Sequence, residues 1–137
     1  MIRPDKTSYY LSVAGMIAQR STCNRRQYGA VIVKDDRIIS TGYNGSARGE
    51  ANCCDTGSCV REQMHVPHGE RYELCSAVHA EANAIINGNP SDMIGATLYL
   101  VGYEGNYLLP NAQPCAMCAR LIKNAQIKEV ISYHWGG

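Results

Sequence analysis

Two short segments of the sequence combine residue types that bind metal ions and transfer protons. The first is His79-Ala80-Glu81, and the second is Pro114-Cys115-Ala116-Met117-Cys118. The two cysteines are three residues apart, so on the first turn of a helix both sulfurs lie on one face. One imidazole and two thiolates can hold a tetrahedral Zn²⁺ and leave a fourth position open for water. Glu81 need not be a ligand, and its carboxylate can act as the acid/base for this water.

The spacing of apolar residues predicts that both segments open helices within an α/β fold. A first helix is predicted at about 7–20, with Thr7 or Asp5 as its cap. Two strands, at 28–33 and 37–43, are joined by a hairpin turn at 34–36.

The second half of the chain continues the alternation of helices and strands. The predicted elements are a helix from His79 to about 87–88, a strand at 96–101, a loop at 102–113, a helix from Pro114 to about Asn124, and a strand at 129–133. A helix between the last two strands favours a right-handed parallel crossover. The order α-β-β-α-β-α-β therefore predicts a mixed sheet with helices on both faces.

Composition and charge exclude several classes of protein. The 137 residues suit one domain spanning 1–137, and 45% hydrophobic residues exclude disorder. A formal net charge of +1 disfavours a nucleic-acid partner, including polynucleotide editing. The apolar runs are too short for a membrane span, and the N-terminus lacks the apolar core of a signal peptide. A cytoplasmic protein with no membrane partner is therefore expected.

The two segments together form the H-x-E…P-C-x-x-C pattern that is typical of zinc nucleobase deaminases. With its surroundings, the pattern resembles the cytidine/deoxycytidylate deaminase family, and most closely its dCMP deaminase-like branch. The other segments that carry this resemblance are 23–26, 28–33, 39–45, 54–59, 69–75 and 96–99. The resemblance implies a three-layer α/β/α cytidine deaminase-like sandwich with a mixed β-sheet, a homo-oligomer, and hydrolytic loss of ammonia from C4 of cytosine. The alternative is a buried histidine, a solvated acid and two buried thiols without a metal.

The resemblance also assigns roles to individual residues. It implies that the zinc ligands are His79, Cys115 and Cys118, and that Glu81 is the catalytic acid/base. It places the backbone N–H of Ala80 against the pyrimidine edge. It makes Asn44 a candidate for sugar or base contact, whereas the alternative for Asn44 is a turn residue with positive φ beside Gly45.

Seven cysteines in a reducing compartment indicate metal binding before disulfides. An insertion at about 45–76 is too long for a structureless loop, so a metal that organises it is expected. In the dCMP branch a second, structural zinc is common here, and matching the pattern indicates four ligands: Cys23, Cys54, Cys59 and Cys75. His65 and His68 are substitutes and Cys53 is spare. The alternative is a set of free thiols.

The 5′-phosphate of a nucleotide substrate needs cations or backbone N–H groups. No Lys or Arg lies between Arg71 and Arg120, and residues 87–91 lack the Arg that family members carry after the H-A-E helix. The phosphate could be held by Arg26, with Arg48, Arg61 and Arg71 as further candidates. Each of these could equally be a surface charge. The resemblance also suggests dCTP and dTTP as effectors.

We therefore expect a zinc-dependent hydrolytic deaminase of a cytosine nucleotide, with dCMP converted to dUMP plus ammonia as the leading reaction. One alternative is a deaminase of a nucleoside or a modified cytosine compound. A second is a non-catalytic, zinc-containing nucleotide-binding module, which would have no need of Glu81.

Overall fold

A computed structural model describes residues 2–23, 25–46, 49 and 77–134. Within these residues the helices are α1 (Lys6–Ala18), α2 (Ala80–Asn87), α3 (Pro90–Met93) and α4 (Ala116–Asn124). The strands are β1 (Gln27–Lys34), β2 (Arg37–Tyr43), β3 (Gly45–Ser46), β4 (Ala77–Val78), β5 (Thr97–Glu104), β6 (Tyr107–Leu108) and β7 (Glu129–Ile131). None of the described helices is long and apolar enough to cross a membrane.

The main sheet is mixed, as the sequence predicted. Strand β1 lies between β2 and β5 and pairs with both in antiparallel fashion. The far edge of β5 is shared, because β7 pairs in parallel with its first half and β6 pairs antiparallel with its end. The parallel β5–β7 pair spans helix α4, which confirms that the last two strands are parallel and joined by a helix; the right hand of this crossover stays a prediction.

Side chains alternate across the two central strands and build a core on each face of the sheet. Ala30, Ile32, Leu98 and Leu100 pack on one face with residues of α2 and α4. The intervening residues, Val31, Val33, Tyr99 and Val101, pack on the opposite face against α1. This arrangement confirms the predicted three-layer α/β/α sandwich.

Local sequence signals explain how the first hairpin and helix begin. The Asp5 carboxylate accepts a hydrogen bond from the Ser8 N–H at 2.8 Å, so Asp5 is the cap of α1 and Thr7 lies inside the helix. The turn between β1 and β2 places Asp35 and Asp36 at φ 51° and 59°. Two left-handed residues form the hairpin turn that matches the twist of the strands, and Asp tolerates that conformation.

Two predicted boundaries were wrong. The segment 102–113 is not a plain loop, because β5 continues to Glu104 and turns back into β6 at Tyr107. Pro114 does not open the last helix, since Cys115 is the cap and Ala116 is the first helical residue. The sulfur of Cys115 accepts from the Cys118 N–H at 3.4 Å, a bond that caps the helix at Cys115, so its first helical residue lies two residues later than predicted.

The short β3–β4 pair joins the chain on either side of the insertion. Gly45 pairs with Val78, and Ser46 pairs with Ala77. This pairing places His79 directly after a paired strand. Nine residues predicted to bind a metal or a phosphate lie outside the described residues: Arg48, Cys53, Cys54, Cys59, Arg61, His65, His68, Arg71 and Cys75.

Two glycines let the helices approach the sheet backbone closely. A Cβ on Gly42 of β2 would lie 2.5 Å from the Ala80 carbonyl oxygen of α2. A Cβ on Gly29 of β1 would lie 2.5 Å from the Ala18 nitrogen of α1 on the opposite face. The missing side chains therefore set the separation between the sheet and both helix layers.

Candidate active site

The starts of two helices bring together the three residues predicted to bind zinc. His79 is the N-cap of α2, Cys115 is the N-cap of α4, and Cys118 lies in the first turn of α4. His79 Nδ1 lies 3.5 Å from the Cys115 sulfur and 3.4 Å from the Cys118 sulfur. One ligand atom from each residue lies within 4.8 Å of the other two. His79 and the two cysteines are far apart in sequence, and they meet because α2 and α4 pack against each other.

The spacing and chemistry of these donors fit a zinc ion. With ordinary Zn–N and Zn–S bond lengths, a tetrahedral ion separates a ligand nitrogen from a ligand sulfur by about 3.6 Å. Both observed N···S distances agree with that value. Burial, together with the nearby Glu81 and Cys115, raises the pKa of the Cys118 thiol. Metal binding by this thiol would release its proton, because the thiolate is the form that binds a metal.

Backbone N–H groups point at both sulfurs. The Cys118 N–H donates to the Cys115 sulfur at 3.4 Å, and the Ala82 N–H donates to the Cys118 sulfur. The first N–H groups of a helix have no partner within the helix, so they are available for this contact. The N–H groups at the two helix starts thereby orient both sulfurs.

Glu81 lies in the first turn of α2 and faces the same site. Its side chain is 5% exposed, and burial raises the pKa of its carboxyl group. The backbone N–H of Glu81 and the Cys118 thiol lower the same pKa, because both donate hydrogen bonds to the carboxylate. A buried carboxyl group that can hold a proton and release it is suited to repeated proton transfer.

The structure places Asn44 and Arg26 together at the beginning of β1. The Asn44 side-chain oxygen accepts from the Tyr28 N–H at 2.8 Å, and its amide nitrogen donates to the Arg26 carbonyl at 2.9 Å. Asn44 is buried and is not among the residues with positive φ, so the turn alternative was wrong. The Arg26 guanidinium lies 3.8 Å from the Glu104 carboxylate. A substrate contact by either residue stays a prediction.

Ala80, the third predicted substrate contact, is the first residue of α2 and is fully buried between His79 and Glu81. Its N–H belongs to the first turn, where no partner within the helix is available. The contact of this N–H with a pyrimidine stays a prediction.

Sequence reasoning missed two residues that tie α2 to the sheet. The Asn83 amide donates to the Tyr43 carbonyl at 2.8 Å, and the Asn87 amide donates to the Thr41 carbonyl at 3.0 Å. The available signal was their spacing of four residues, which places both amides on one face of a helix. Nothing in the sequence alone gives the carbonyls that they meet.

Comparison with known proteins agrees with this geometry. Residues 4–134 match the family model described as the cytidine and deoxycytidylate deaminase zinc-binding region. The chain is 41% identical to the deoxycytidylate deaminase of Mycobacterium phage D29, with 96% of each chain covered. It is 36% identical to the deoxycytidylate deaminase of Schizosaccharomyces pombe, but there it covers 38% of the longer protein.

The fold is also that of a solved deaminase. The dCMP deaminase of cyanophage S-TIM5, in complex with dCMP and dUMP, matches 98% of this chain and 86% of its own, with a TM-score of 0.64 and 24% identity.

Proposed function

Because this chain belongs to the cytidine and deoxycytidylate deaminase family, we propose that it converts dCMP and water to dUMP and ammonia. The observation that carries the proposal is the convergence of His79, Cys115 and Cys118 beside the buried carboxyl of Glu81. A site that held zinc for structure alone would have no use for that acid. The match to the phage D29 deoxycytidylate deaminase over nearly its full length supports dCMP as the substrate.

The roles of the site residues follow from their positions. His79, Cys115 and Cys118 hold the zinc, which when bound lowers the pKa of a water molecule toward about 7. Glu81 accepts a proton as the water oxygen adds to C4 of cytosine. The same carboxyl delivers this proton to N3, then takes the remaining proton of the former water from the new C4 hydroxyl and delivers it to the leaving amine, so that ammonia departs and a uracil ring with a C4 carbonyl remains.

Substrate contacts belong to the residues around this acid. The Ala80 N–H belongs to the first turn of α2 and has no acceptor within the helix, which supports Ala80 as a hydrogen-bond donor to the pyrimidine edge. Asn44 and Arg26 are proposed to lie near the sugar and the phosphate, respectively. Their shared position at the start of β1 supports a common contact region, and Asn44 would hold that backbone while the substrate binds.

A second, structural zinc on Cys23, Cys54, Cys59 and Cys75 is part of the same proposal. Cys23 is half-buried and lies four residues before β1. Its neighbour Thr22 donates its N–H to the Asn44 carbonyl at 3.4 Å, next to the β3–β4 pair that joins the two ends of the insertion. Metal analysis of fully loaded protein should give two zinc ions per chain, and the Cys23→Ser variant should give one. One zinc per chain in both proteins would remove the second site.

A homo-oligomer with dCTP and dTTP as effectors completes the proposal. The oligomer is tested by light scattering at several protein concentrations. The effectors are tested by the initial rate at subsaturating dCMP, which dCTP should raise and dTTP should lower. A rate unchanged by both triphosphates would contradict the regulation without affecting the catalytic proposal.

The substrate is tested by incubating zinc-loaded protein with dCMP and, in parallel, with deoxycytidine. Turnover of dCMP, with kcat/KM at least 100-fold higher than for deoxycytidine, is expected. Preference for deoxycytidine would favour the nucleoside alternative, for which the absence of Lys and Arg between Arg71 and Arg120 is the specific observation. Turnover of neither substrate would favour a modified cytosine substrate or a non-catalytic binding module.

A further inference from the structure

Strand β2 lies at an edge of the main sheet, so one side of its backbone has no strand partner among the described residues. The Asn44 N–H donates to the Tyr28 carbonyl at 3.3 Å. This bond shows which residues of β2 direct their backbone groups toward β1, because that direction alternates along a strand. Residues of the same parity as Asn44 bond to β1, while Thr41 and Tyr43 direct their backbone groups away from it. Their carbonyls therefore need partners from outside the sheet.

Helix α2 supplies these partners from two asparagines one turn apart. Asn83 donates to the Tyr43 carbonyl at 2.8 Å, and Asn87 donates to the Thr41 carbonyl at 3.0 Å. The spacings of the donors and the acceptors agree. A strand directs carbonyls to the same side at every second residue, and a helix presents side-chain amides on the same face at every fourth residue. The helix is thus attached to the strand at two consecutive outward-facing carbonyls.

Other contacts between α2 and β2 agree with the same alignment. Ser40 Oγ donates to the Ala84 carbonyl, so a third polar bond runs in the opposite direction. Gly42 lets the backbone of α2 approach the strand between these bonds. Sliding the helix by one strand residue would break all three hydrogen bonds and would place a side chain where Gly42 now leaves space.

We propose that Asn83 is a positioning residue for the deamination site, which it serves by setting where α2 lies on β2. The Asn83 N–H also bonds to the His79 carbonyl at 3.0 Å, and Asn83 is two residues beyond Glu81. The alignment of α2 therefore decides how far His79 and Glu81 reach toward the two cysteines of α4. This inference rests on the proposed function for the roles of His79 and Glu81.

Asn87 makes the same kind of bond at the other end of the helix and provides a matched control. It is the last residue of α2 and is exposed, whereas Asn83 is half-buried. Both variants, Asn83→Ala and Asn87→Ala, lose one amide bond to one carbonyl of β2. A purely structural role predicts similar effects from the two changes, while a positioning role predicts a large effect from Asn83→Ala alone.

The experiment measures zinc affinity by competition with a chromophoric chelator, and kcat and KM for dCMP at saturating zinc, well below the melting temperature of each variant. For Asn83→Ala we expect zinc affinity to fall by about 10- to 100-fold, as for other residues that orient metal ligands. We expect kcat to fall at least tenfold while KM changes less than threefold. For Asn87→Ala all three quantities should stay within about threefold of the wild type.

Equal effects of the two variants on zinc affinity, or a lower melting temperature of Asn83→Ala with unchanged zinc affinity and kcat, would overturn the proposal. If Asn83→Ala does not fold, Asn83→Gln and Asn87→Gln keep an amide donor on a longer side chain. The former should then show the lower zinc affinity, and equal affinities would again overturn the proposal. Absence of turnover in the wild type would refute the proposed function, and the zinc competition would still decide the role of Asn83.

Discussion

Glu81 and Cys115 lie at one site but should respond differently to substitution. Cys115 contributes a sulfur to the donor set, whereas Glu81 contributes a buried carboxyl beside it. Loss of a ligand removes the metal and the chemistry together. Loss of the acid removes only the transfer of protons, so metal content separates the two roles.

We predict that Glu81→Ala lowers kcat for dCMP deamination by about 10²- to 10⁴-fold while the catalytic zinc remains bound. The measurement is turnover combined with zinc analysis of the same preparation. Cys115→Ala is the control, and it should lose both turnover and one zinc ion per chain. Retained activity in Glu81→Ala would refute the assigned role of the carboxyl.

At the scale of residues, the three candidate metal donors could be predicted from the sequence because residue types that bind metal ions stand in two short motifs. His79, Cys115 and Cys118 need only the starts of two helices to meet. Asn83 could not be recognised in this way, because its partner is a backbone carbonyl on a strand about 40 residues earlier. The resemblance suggested Asn44 as a substrate contact, which stays a prediction, and its bonds to the backbone of Arg26 and Tyr28 follow only from the pairing of β1 with β2.

At the scale of elements, the contact between α2 and β2 depends on Gly42. An added methyl group would meet the backbone of α2, which cannot turn aside as a side chain would. The helix would have to move away from the sheet and carry His79 and Glu81 with it. Stability and metal binding should therefore change together.

We predict that Gly42→Ala lowers the free energy of unfolding by about 1–3 kcal/mol, the usual cost of overpacking, and weakens zinc binding. Urea denaturation and chelator competition test the two effects. Gly105→Ala is the control, because its Cβ would meet nothing within 4 Å and only its φ of 63° is unfavourable. It should cost about 1 kcal/mol and leave zinc affinity unchanged; equal zinc affinities in the two variants would contradict the argument.

A second contact between elements ties α1 to the β1–β2 turn. The Tyr10 hydroxyl and the Lys6 ammonium both donate to the Asp36 carboxylate, the latter at 2.6 Å. The two donors lower the pKa of Asp36 below 3.8, and the hydrogen bond to Asp36, with burial, raises the pKa of Tyr10 to about 12. The contact of Asp36 with Lys6 and Tyr10 should therefore stabilise the fold at all pH values between these two pKa values.

We predict that Tyr10→Phe lowers the melting temperature by an amount that is constant near neutral pH and shrinks at both extremes. The lowered pKa of Asp36 means that its stabilisation is lost as the pH falls below about 3.8. The raised pKa of Tyr10 means that its stabilisation is lost as the pH rises from 10 toward about 12. Thermal melts of both proteins across this range test the prediction, and a difference independent of pH would contradict it.

Elements with a repeated hydrophobic pattern were predicted, and those without one were missed. Helix α1 and strands β1, β2 and β5 each repeat the pattern several times. Strands β3, β4 and β6 have two residues each, and α3 has four, which is too short for a period to show. These elements form because their neighbours supply partners, as β5 does for β6.

At the scale of the whole molecule, the candidate metal site joins two helices that lie on either side of strand β5 in the sequence. His79 is the N-cap of α2, before β5, whereas Cys115 and Cys118 are the N-cap and a first-turn residue of α4, after β5. A ligand that binds the folded state alone stabilises that state by mass action. The zinc should therefore stabilise the whole molecule and not α4 alone.

We predict that removing zinc with a chelator lowers the melting temperature. At free zinc about 100 times the Kd, the stabilisation is about 2.7 kcal/mol, which corresponds to roughly 10 °C for a chain of this size. Calorimetry of the loaded and chelated protein tests this shift. Cys115→Ser should show a smaller shift than the wild type, and an equal shift would mean that the stabilising metal binds elsewhere.

The separation of the metal donors along the chain also has a consequence for folding kinetics. Cys115 and Cys118 lie 36 and 39 residues after His79. Strand β5, the partner of β1, lies between His79 and Cys115 in the sequence. Closing the loop between His79 and Cys115 before the sheet forms would cost conformational entropy that zinc binding alone would have to offset. We therefore expect zinc to bind after the sheet has formed during refolding. The rate of zinc binding would then report on the last step of folding.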